Sequence, residues 1–548
     1  MKIKLLPLLP LILGIIFTLV LVIQIPEGAY FSGDAGLKAM LSQQLAREIR
    51  FDLIPPSQPW VRELWQQGLY AYTPPYAYYL GDRYYIAFPY TFPLVTAPFY
   101  WLFGYYGLYV VPLVSTWIVW GLFYWTCRLL KFTLIWTTLS LAILIFASPL
   151  TPYSAMYWEH SLAVCLAFAA VPLMLVVRKN TIPKLASILL TLLAGMGLGF
   201  SVWFRQDLFC LVALLFAIAF CQIILQWQPI RSWLTSRSWK INFSLIPRPW
   251  LFCISTAIAT GLYFVFNKPV YGSFFGIPRV EMLEVTLIQK LLNAMVGFEA
   301  MGVAFIAFMP IAAFIAFYIV AFIIDRQRLK PNFLSIAVYA LSLILLWGIA
   351  FLVPAGTSGL IPGGKQWGVR FLLILVPIFT LVNIEALKAI SDRARSWLKY
   401  TGIVLFTILS LVSFHKNTLE GAAFLLKSYR DIAPAIGFLN AETEPVIAIS
   451  HQFVGQALEA SVSGEKLWFK VEDTEDLTLL GQRLVAENID RFVYVCYPFA
   501  PCQLPETPEI AFSDRAKTYR VDFKPVGQKG KYPIYQVTID PSSRHGHK

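Results

Sequence analysis

The sequence is short of charge and of histidine, and this shortage excludes several classes of protein. Only 14% of the 548 residues are charged and five are histidine, whereas soluble domains are about one quarter charged. Hydrophobic residues make up 58% of the chain, more than a soluble protein could cover with polar side chains. The cysteines show no metal-type spacing, and the tail contains no phosphate loop. These absences argue against a soluble protein and leave the cofactor unknown: a divalent metal stays open, although no motif for one is seen.

The sequence also lacks a basic patch, although its net charge is +13. The basic residues lie in short loops between apolar runs, which is the positive-inside pattern of membrane proteins. With the N-terminus inside, the inner segments contain eighteen lysines and arginines and the short outer loops contain six. Nucleic acid is therefore not an expected partner. This asymmetry places the N-terminus in the cytoplasm. An odd number of spans then places the C-terminal domain outside the cytoplasm.

Long apolar runs are abundant, and most are of the length that crosses about 30 Å of hydrocarbon as a helix. They predict an all-α polytopic membrane protein with about eleven transmembrane helices. The first run follows two lysines and has no cleavage site, so we read it as an uncleaved span. The predicted spans are 5–25, 106–127, 134–150, 160–177, 184–203, 207–226, 250–267, 302–324, 333–354, 371–387 and 401–415.

Two outer segments are longer than a loop needs to be. We predict a transmembrane domain over 1–415, whose first outer loop spans 26–105, and a small extracytoplasmic α/β domain over 416–548. In the first outer loop we expect an amphipathic helix at 35–50 and an interfacial or re-entrant helix at 92–103. In the tail, helices are predicted at 429–440 and 475–488, and strands at 446–450, 491–496, 519–523 and 534–539.

The tail contains two cysteines, Cys496 and Cys502, six residues apart. We predict that they form a disulfide, because an exported domain lies in an oxidising compartment.

Charged residues beside a membrane are costly unless they are paired or hydrated, so they are candidates for function. Asp34 follows the first span. It is a candidate general base, and it is also expected to be the N-cap of the next helix. Glu159 precedes the fourth span as a second carboxylate candidate, or as a solvated interfacial residue. Arg205 lies in a short outer turn, where it either binds a ligand or pairs with Asp207.

A glycine-rich outer loop at 355–373 contains two cations, Lys365 and Arg370. Flexible backbone amides together with cations suit a phosphate group. The alternative is an ordinary glycine-rich turn with snorkelling cations. The loop residues that we single out are Gly363, Gly364, Trp367 and Gly368.

In order and spacing, these residues resemble the GT-C superfamily of membrane glycosyltransferases, which includes protein O-mannosyltransferases and bacterial lipid A sugar transferases. The resemblance covers about residues 1–415. It rests on Asp34 after the first span, on Gly-Asp-Arg-Tyr-Tyr from Gly81, on Tyr153 with Glu159, on Gly199 with Arg205, and on Gly-Gly-Lys-Gln-Trp-Gly-Val-Arg from Gly363 to Arg370. Two departures are Ala35, where many members have a second acid, and Val369 in place of proline.

The resemblance implies an inverting transfer of sugar from a polyprenyl-phosphate carrier to a lipid, glycan or protein acceptor on the extracytoplasmic face. It assigns catalysis to Asp34 or Glu159, and binding of the donor phosphate to Arg205, Lys365 and Arg370. Two alternatives stay open. One is a transporter or flippase of lipid-linked sugars, although it should carry ionisable residues at mid-span. The other is a non-catalytic membrane scaffold.

Overall fold

The computed structural model describes residues 6–179, 182–225, 248–277, 286–329, 333–353, 365–462, 466–502, 509–511 and 518–541. These residues divide into two compact units. Unit 1 contains 1–22 and 109–424, and unit 2 contains 23–108 and 425–548. The first outer loop therefore shares a unit with the tail, whereas the sequence predicts it as part of the transmembrane domain.

Unit 1 is helical because its apolar runs satisfy their backbone polar groups internally, as a membrane requires. Its helices are Leu8–Ile23, Val110–Leu129, Leu134–Phe146, His160–Arg178, Lys184–Phe204, Phe209–Leu225, Arg248–Tyr271, Leu287–Phe308, Phe314–Ile324, Phe333–Leu352, Leu375–Arg393 and Ser396–Phe414. Short 3-10 turns at Thr151–Ala155, Gln206–Leu208, Pro310–Ala313 and Arg370–Leu372 and a π-helical turn at His415–Glu420 connect some of them.

Six helical stretches among the described residues are long and apolar enough to cross a membrane, which makes the chain a multi-pass membrane protein. They are Thr91–Leu129, His160–Arg178, Lys184–Phe204, Arg248–Tyr271, Leu287–Phe308 and Ser396–Ala441. Five further apolar helices of 10–17 residues are Leu8–Ile23, Leu134–Phe146, Gln206–Cys221, Pro310–Ile324 and Val338–Leu352.

The predicted span at 302–324 is wrong, because the helix breaks inside it. Leu287–Phe308 ends before Met309, which has non-helical backbone angles, and a 3-10 turn begins at Pro310. Proline restricts the residue before it and lacks the N–H that a continuing helix would need. The apolar run therefore belongs to two helices, and the first of them begins well before the predicted span.

Two helices of unit 1 pack unusually closely through small residues. Glycines 195 and 199 lie one turn apart on Lys184–Phe204, and each faces Arg248–Tyr271. A Cβ at Gly199 would lie 2.6 Å from the Cβ of Ala259 and 2.7 Å from the backbone oxygen of Thr256. Small residues at this spacing let membrane helices approach each other. Gly199 therefore has a packing role in the segment that leads to Arg205.

Unit 2 contains a six-stranded sheet in the order β4-β3-β5-β8-β7-β6. Strands β3 (Val446–Ile449), β4 (Leu467–Lys470) and β5 (Arg491–Val495) are parallel, and β3 is wholly buried. Strands β8 (Tyr532–Pro541), β7 (Thr518–Lys529) and β6 (Glu509–Ala511) extend the sheet antiparallel. The four predicted strands and the helix predicted at 475–488, observed at Thr474–Ala486, are confirmed.

The other elements of unit 2 are the helices Gly33–Leu45, Pro59–Leu64, Thr91–Phe103, Gly421–Arg430, Ala433–Ala441 and Gln452–Leu458, and a hairpin of β1 (Ala77–Leu80) and β2 (Arg83–Ile86). Gly421–Arg430 begins in unit 1. Gly81 and Asp82 both have positive φ, as a tight two-residue hairpin turn requires. The Gly-Asp-Arg-Tyr-Tyr motif is therefore a hairpin turn followed by a strand.

The first outer loop and the tail are joined by hydrogen bonds inside unit 2. The Gln43 amide donates to the backbone oxygen of Ala460 (2.8 Å), and the Trp65 indole donates to the backbone oxygen of Trp468 (3.2 Å). The predicted disulfide between Cys496 and Cys502 is present, with a Cα–Cα distance of 5.5 Å. Unit 2 is thus one folded body built from two distant stretches of chain.

Candidate active site

An ion cluster joins three residues of unit 1 that the sequence predicts to lie on the outer face. Glu159 immediately precedes the helix His160–Arg178, and Arg205 follows the end of Lys184–Phe204. The Arg205 Nη1 atom lies 3.3 Å from Glu159 Oε1, and its Nη2 atom lies 2.7 Å from Asp207 Oδ1. Glu159 and Asp207 are buried, at 4% and 9% exposure. Arg205 therefore balances two carboxylates that would be costly to bury alone.

Arg370, which belongs to the glycine-rich loop, lies close to this ion cluster. It begins the 3-10 turn Arg370–Leu372, and its guanidinium carbon lies 5.4 Å from the centre of the Trp158 ring and 5.1 Å from that of Phe371. The guanidinium of Arg205 lies 4.8 Å from the same Phe371 ring. Aromatic faces attract cations. Two guanidinium groups, which are 165 positions apart in the sequence, thus contact the single ring of Phe371.

A narrow cavity of about 10 Å³, which is about the room that one water molecule needs, opens between these groups. Its wall combines two cations with one carboxylate, one imidazole and an apolar surface. The lining residues are His160, Ala163, Val164, Arg205, Asp207, Leu208, Arg370, Phe371, Leu373 and Ile374. The His160 ring is buried, its Nδ1 atom lies 4.0 Å from Glu159 Oε1, and it packs against Tyr153 and Trp158.

The loop that carries Arg370 is anchored by a buried tryptophan. The Trp367 indole donates to Asn417 Oδ1 (3.2 Å), and the Tyr153 hydroxyl donates to the Trp367 backbone oxygen (2.8 Å). Gly368 has a φ of +71°, which favours glycine over residues with a side chain. Trp367 and Gly368 therefore hold the loop in place. Gly363 and Gly364 lie outside the described residues.

Asp34 does not cap its helix, and this part of the prediction is wrong. The helix spans Gly33–Leu45, and its N-cap is Ser32, whose backbone is extended and whose side chain accepts from the Ala35 N–H. Asp34 lies in the first turn, where a carboxylate is favoured by the helix dipole. It is partly exposed, and Lys38 follows on the same helix face four residues later.

The two glycines around Asp34 serve close packing. A Cβ at Gly36 would overlap the backbone oxygen of Gln456, and a Cβ at Gly33 would lie 2.5 Å from Gln456 Oε1. Gln456 is 1% exposed and belongs to the tail helix Gln452–Leu458. Nothing in the local sequence pattern identifies Gln456 or Asn417, because each acts through contacts with distant residues.

The structure thus brings Glu159, Arg205 and Arg370 together within unit 1. Lys365 is partly exposed and does not line the cavity. Asp34 belongs to unit 2, and its convergence with the two arginines stays a prediction. Among the described residues, no group of three or more His, Cys, Asp or Glu side chains could hold a metal ion.

No family model and no curated protein matches this sequence. Solved structures do match its fold. ArnT from Cupriavidus metallidurans in the apo state aligns with a TM-score of 0.52 at 12% identity, over 96% of this chain and 97% of that one. The same protein bound to undecaprenyl phosphate aligns with a TM-score of 0.47 at 12% identity and the same coverage. The oligosaccharyltransferase AglB from Archaeoglobus fulgidus, in complex with an inhibitory peptide and a dolichol-phosphate, gives 0.43 at 11% identity, over 90% and 70%.

The alignment with apo ArnT extends over nearly the whole of both chains. Because the identity is low, the similarity concerns the fold and not the substrate. The chain therefore has the same overall fold as ArnT from Cupriavidus metallidurans.

Proposed function

We propose that this chain is a membrane glycosyltransferase that moves a sugar from a polyprenyl-phosphate carrier to an acceptor on the extracytoplasmic face. The observation that carries the proposal is the meeting of Arg205 and Arg370 at one cavity of a GT-C fold. Guanidinium groups are suited to phosphate, because their planar donors match its oxygens. The sugar and the acceptor are not specified by these contacts.

The reaction is an inverting displacement. The acceptor hydroxyl attacks the anomeric carbon, and its proton passes to Asp34 as general base. The bond between the anomeric carbon and the phosphate oxygen breaks at the same centre, and the electron pair leaves with the lipid phosphate. The charge that develops on this phosphate is what the cations stabilise.

The cations have unequal parts in this proposal. Arg205 bonds two carboxylates, so part of its charge serves to hold the cluster together. Arg370 stacks on the Trp158 and Phe371 rings beside the same cavity, and we assign it the main contact with the donor phosphate. Lys365, five residues earlier in the same loop, is assigned a supporting charge. Glu159, which pairs with Arg205, is the second candidate for general base.

The membrane topology that fits this reaction has a cytoplasmic N-terminus and an extracytoplasmic tail, which requires an odd number of spans; the sequence predicts eleven, and the break before Pro310 changes the bounds of the eighth. The charge asymmetry of the loops supports it, and so does the disulfide of unit 2, because disulfides persist in oxidising compartments. Reporter fusions at Ser236 and Ser542 should read cytoplasm and exterior, respectively. If the two fusions report the same side of the membrane, the odd number of spans is wrong.

The role of Asp34 is tested by Asp34→Asn, which keeps the size of the side chain and removes the proton acceptor. Loss of a general base typically lowers the rate 10²–10⁴-fold. Because Ser32 provides the cap, folding should be unchanged. Transfer of radiolabelled sugar from polyprenyl-phosphate donors by purified protein measures the effect. Full activity of a normally folded Asp34→Asn protein would exclude Asp34, and Glu159→Gln would then be the next variant.

The role of Arg370 is tested by direct binding of undecaprenyl phosphate to the purified chain. Arg370→Ala should weaken binding about tenfold or more, and Arg370→Lys less, because a single charged hydrogen bond contributes about 1.5–3 kcal/mol. Lys365→Ala should have a smaller effect than Arg370→Ala. Equal affinity of wild type and Arg370→Ala would remove Arg370 from the donor site.

A further inference from the structure

The sheet of unit 2 has a reversal point at which α/β domains commonly bind ligands. The chain runs from β3 outward to β4 and then crosses back to β5 on the other side of β3. The carboxyl ends of β3 and β5 therefore lie at the point where the strand order reverses, which is the usual ligand position in open parallel sheets. The Tyr497 N–H donates to Ser450 Oγ (2.8 Å), which ties the two strand ends together.

Aromatic side chains cover this edge in an unbroken row. We call Tyr76, His451, Phe453, Tyr497 and Phe499 the aromatic edge. Ring centres are 5.3 Å apart for Tyr76 and Phe453, 4.5 Å for Phe453 and His451, 4.9 Å for His451 and Tyr497, and 5.5 Å for Tyr497 and Phe499. The first four are half-buried, whereas Phe499 is 73% exposed.

The aromatic edge is held in place by covalent and polar contacts. The disulfide between Cys496 and Cys502 closes the loop that presents Tyr497 and Phe499. The Lys531 ammonium lies 5.3 Å from the centre of the Phe499 ring. An exposed phenylalanine on a crosslinked loop contributes little to the core of its own domain. Its ring extends the aromatic row to the surface, where a ligand can contact it.

The polar groups of the aromatic edge are uncharged at neutral pH. The Phe453 N–H donates to His451 Nδ1 (3.2 Å), so the neutral ring carries its proton on Nε2. Burial lowers the pKa of His451, which keeps the ring neutral. The edge therefore combines flat rings with an imidazole N–H and tyrosine hydroxyls, and none of its five residues attracts an anion by its charge.

The aromatic edge continues toward the turn that carries Asp34. Phe453 and Gln456 are three residues apart on the helix Gln452–Leu458, so they lie on the same face, one turn apart. Gln456 is the residue that packs against Gly33 and Gly36. Its buried Nε2 atom has no hydrogen-bond partner among the described residues. A ligand on the edge thus lies close to the Asp34 helix.

We propose that the aromatic edge is a saccharide-binding site, and that the saccharide is the part of the acceptor that is presented to Asp34. The aliphatic C–H face of a pyranose ring suits the aromatic faces, and its hydroxyls suit the imidazole and phenol groups. The acceptor role rests on the proposed transferase function, whereas the binding site stands without it.

Binding is tested with the full chain in lipid nanodiscs, which avoids sugar-based detergents. Saturation-transfer NMR is recorded with maltotetraose, cellotetraose and chitotetraose. We expect at least one to bind, with a dissociation constant on the order of millimolar. Phe499→Ala and Tyr497→Ala should each weaken binding about tenfold. Tyr79→Ala is the matched control, because Tyr79 is 48% exposed in the same unit but outside the edge.

Two outcomes would overturn the site: no binding of any of the three saccharides to the wild type, or equal binding by Phe499→Ala, Tyr497→Ala and Tyr79→Ala. The binding assay contains no donor, so a failure of the proposed transferase function leaves its result intact.

In a transfer assay, Phe499→Ala should raise the KM for the acceptor with little change in kcat, whereas Asp34→Asn should lower kcat. An unchanged KM for Phe499→Ala would reject the acceptor role.

Discussion

The two candidate regions are held together by different forces. In unit 1, Glu159, Arg205 and Asp207 are fixed by attraction between buried charges, and both arginines also stack on the Phe371 ring. In unit 2, the Asp34 turn is fixed by backbone contact, because Gly33 and Gly36 let Gln456 approach closely. The ion cluster should therefore be sensitive to changes of charge, and the Asp34 turn to changes of size.

The largest effect on stability should come from removing the shared cation of the ion cluster. Arg205→Met would leave Glu159 and Asp207 buried with their common partner gone, which costs about 3–5 kcal/mol for a broken buried pair. The midpoint of thermal unfolding of the purified chain measures the loss. Arg205→Lys is the control, since it keeps the charge and should lose less. Equal unfolding midpoints for the two variants would contradict the electrostatic account.

A smaller loss is expected from a single methyl group at the Asp34 turn. Gly36→Ala would force the Cβ against the backbone oxygen of Gln456, which cannot move aside as a flexible side chain could. Overpacking of this kind typically costs about 1–3 kcal/mol. Limited proteolysis and thermal unfolding of the full chain would report it.

The matched control for this change is Gly437→Ala in the helix Ala433–Ala441 of the same unit. A Cβ at Gly437 would have no neighbour within 4 Å, so this variant should be neutral or more stable by up to about 1 kcal/mol. If Gly36→Ala unfolds like Gly437→Ala, close approach is not what fixes the Asp34 turn.

The smallest effect concerns the hydrogen bond inside unit 2 between Tyr72 of the first outer loop and Glu459 of the tail. The Tyr72 hydroxyl donates to the carboxylate of Glu459, and Met40 also contacts this hydroxyl. Burial raises the pKa of Glu459 to about 7, and the bond from Tyr72 opposes this rise. The folded state therefore holds the proton more tightly than the unfolded state, so stability falls as the pH rises from about 4.5 to about 7.

Glu459→Gln should flatten this dependence, with a difference of about 1 kcal/mol across the window, since part of the side chain is exposed. Thermal unfolding at pH 5 and at pH 7.5 measures it. A wild type and a Glu459→Gln variant with the same pH profile would show that the carboxyl does not titrate in this window.

Local features of this protein could be read from the sequence because their causes are local. Apolar runs predicted the membrane helices, and alternating patterns predicted the strands of the tail. The cap of the Gly33–Leu45 helix was harder, since Ser32 and Asp34 are both residues that cap helices, and only the extended backbone of Ser32 identifies it as the cap. The break before Pro310 was obscured by an apolar run that continues on both sides of it.

The sequence by itself determined that the chain crosses a membrane many times, that its tail is an α/β domain, and that Cys496 and Cys502 are close enough to join, because hydrophobicity, periodicity and short spacing act within neighbouring residues. Only the tertiary structure decided that Arg205 bonds both Glu159 and Asp207, that Arg370 and Arg205 stack on one phenylalanine, and that Gln456 packs beside Asp34. Each of these contacts depends on packing between distant segments, and no local pattern records which side chains such packing brings together.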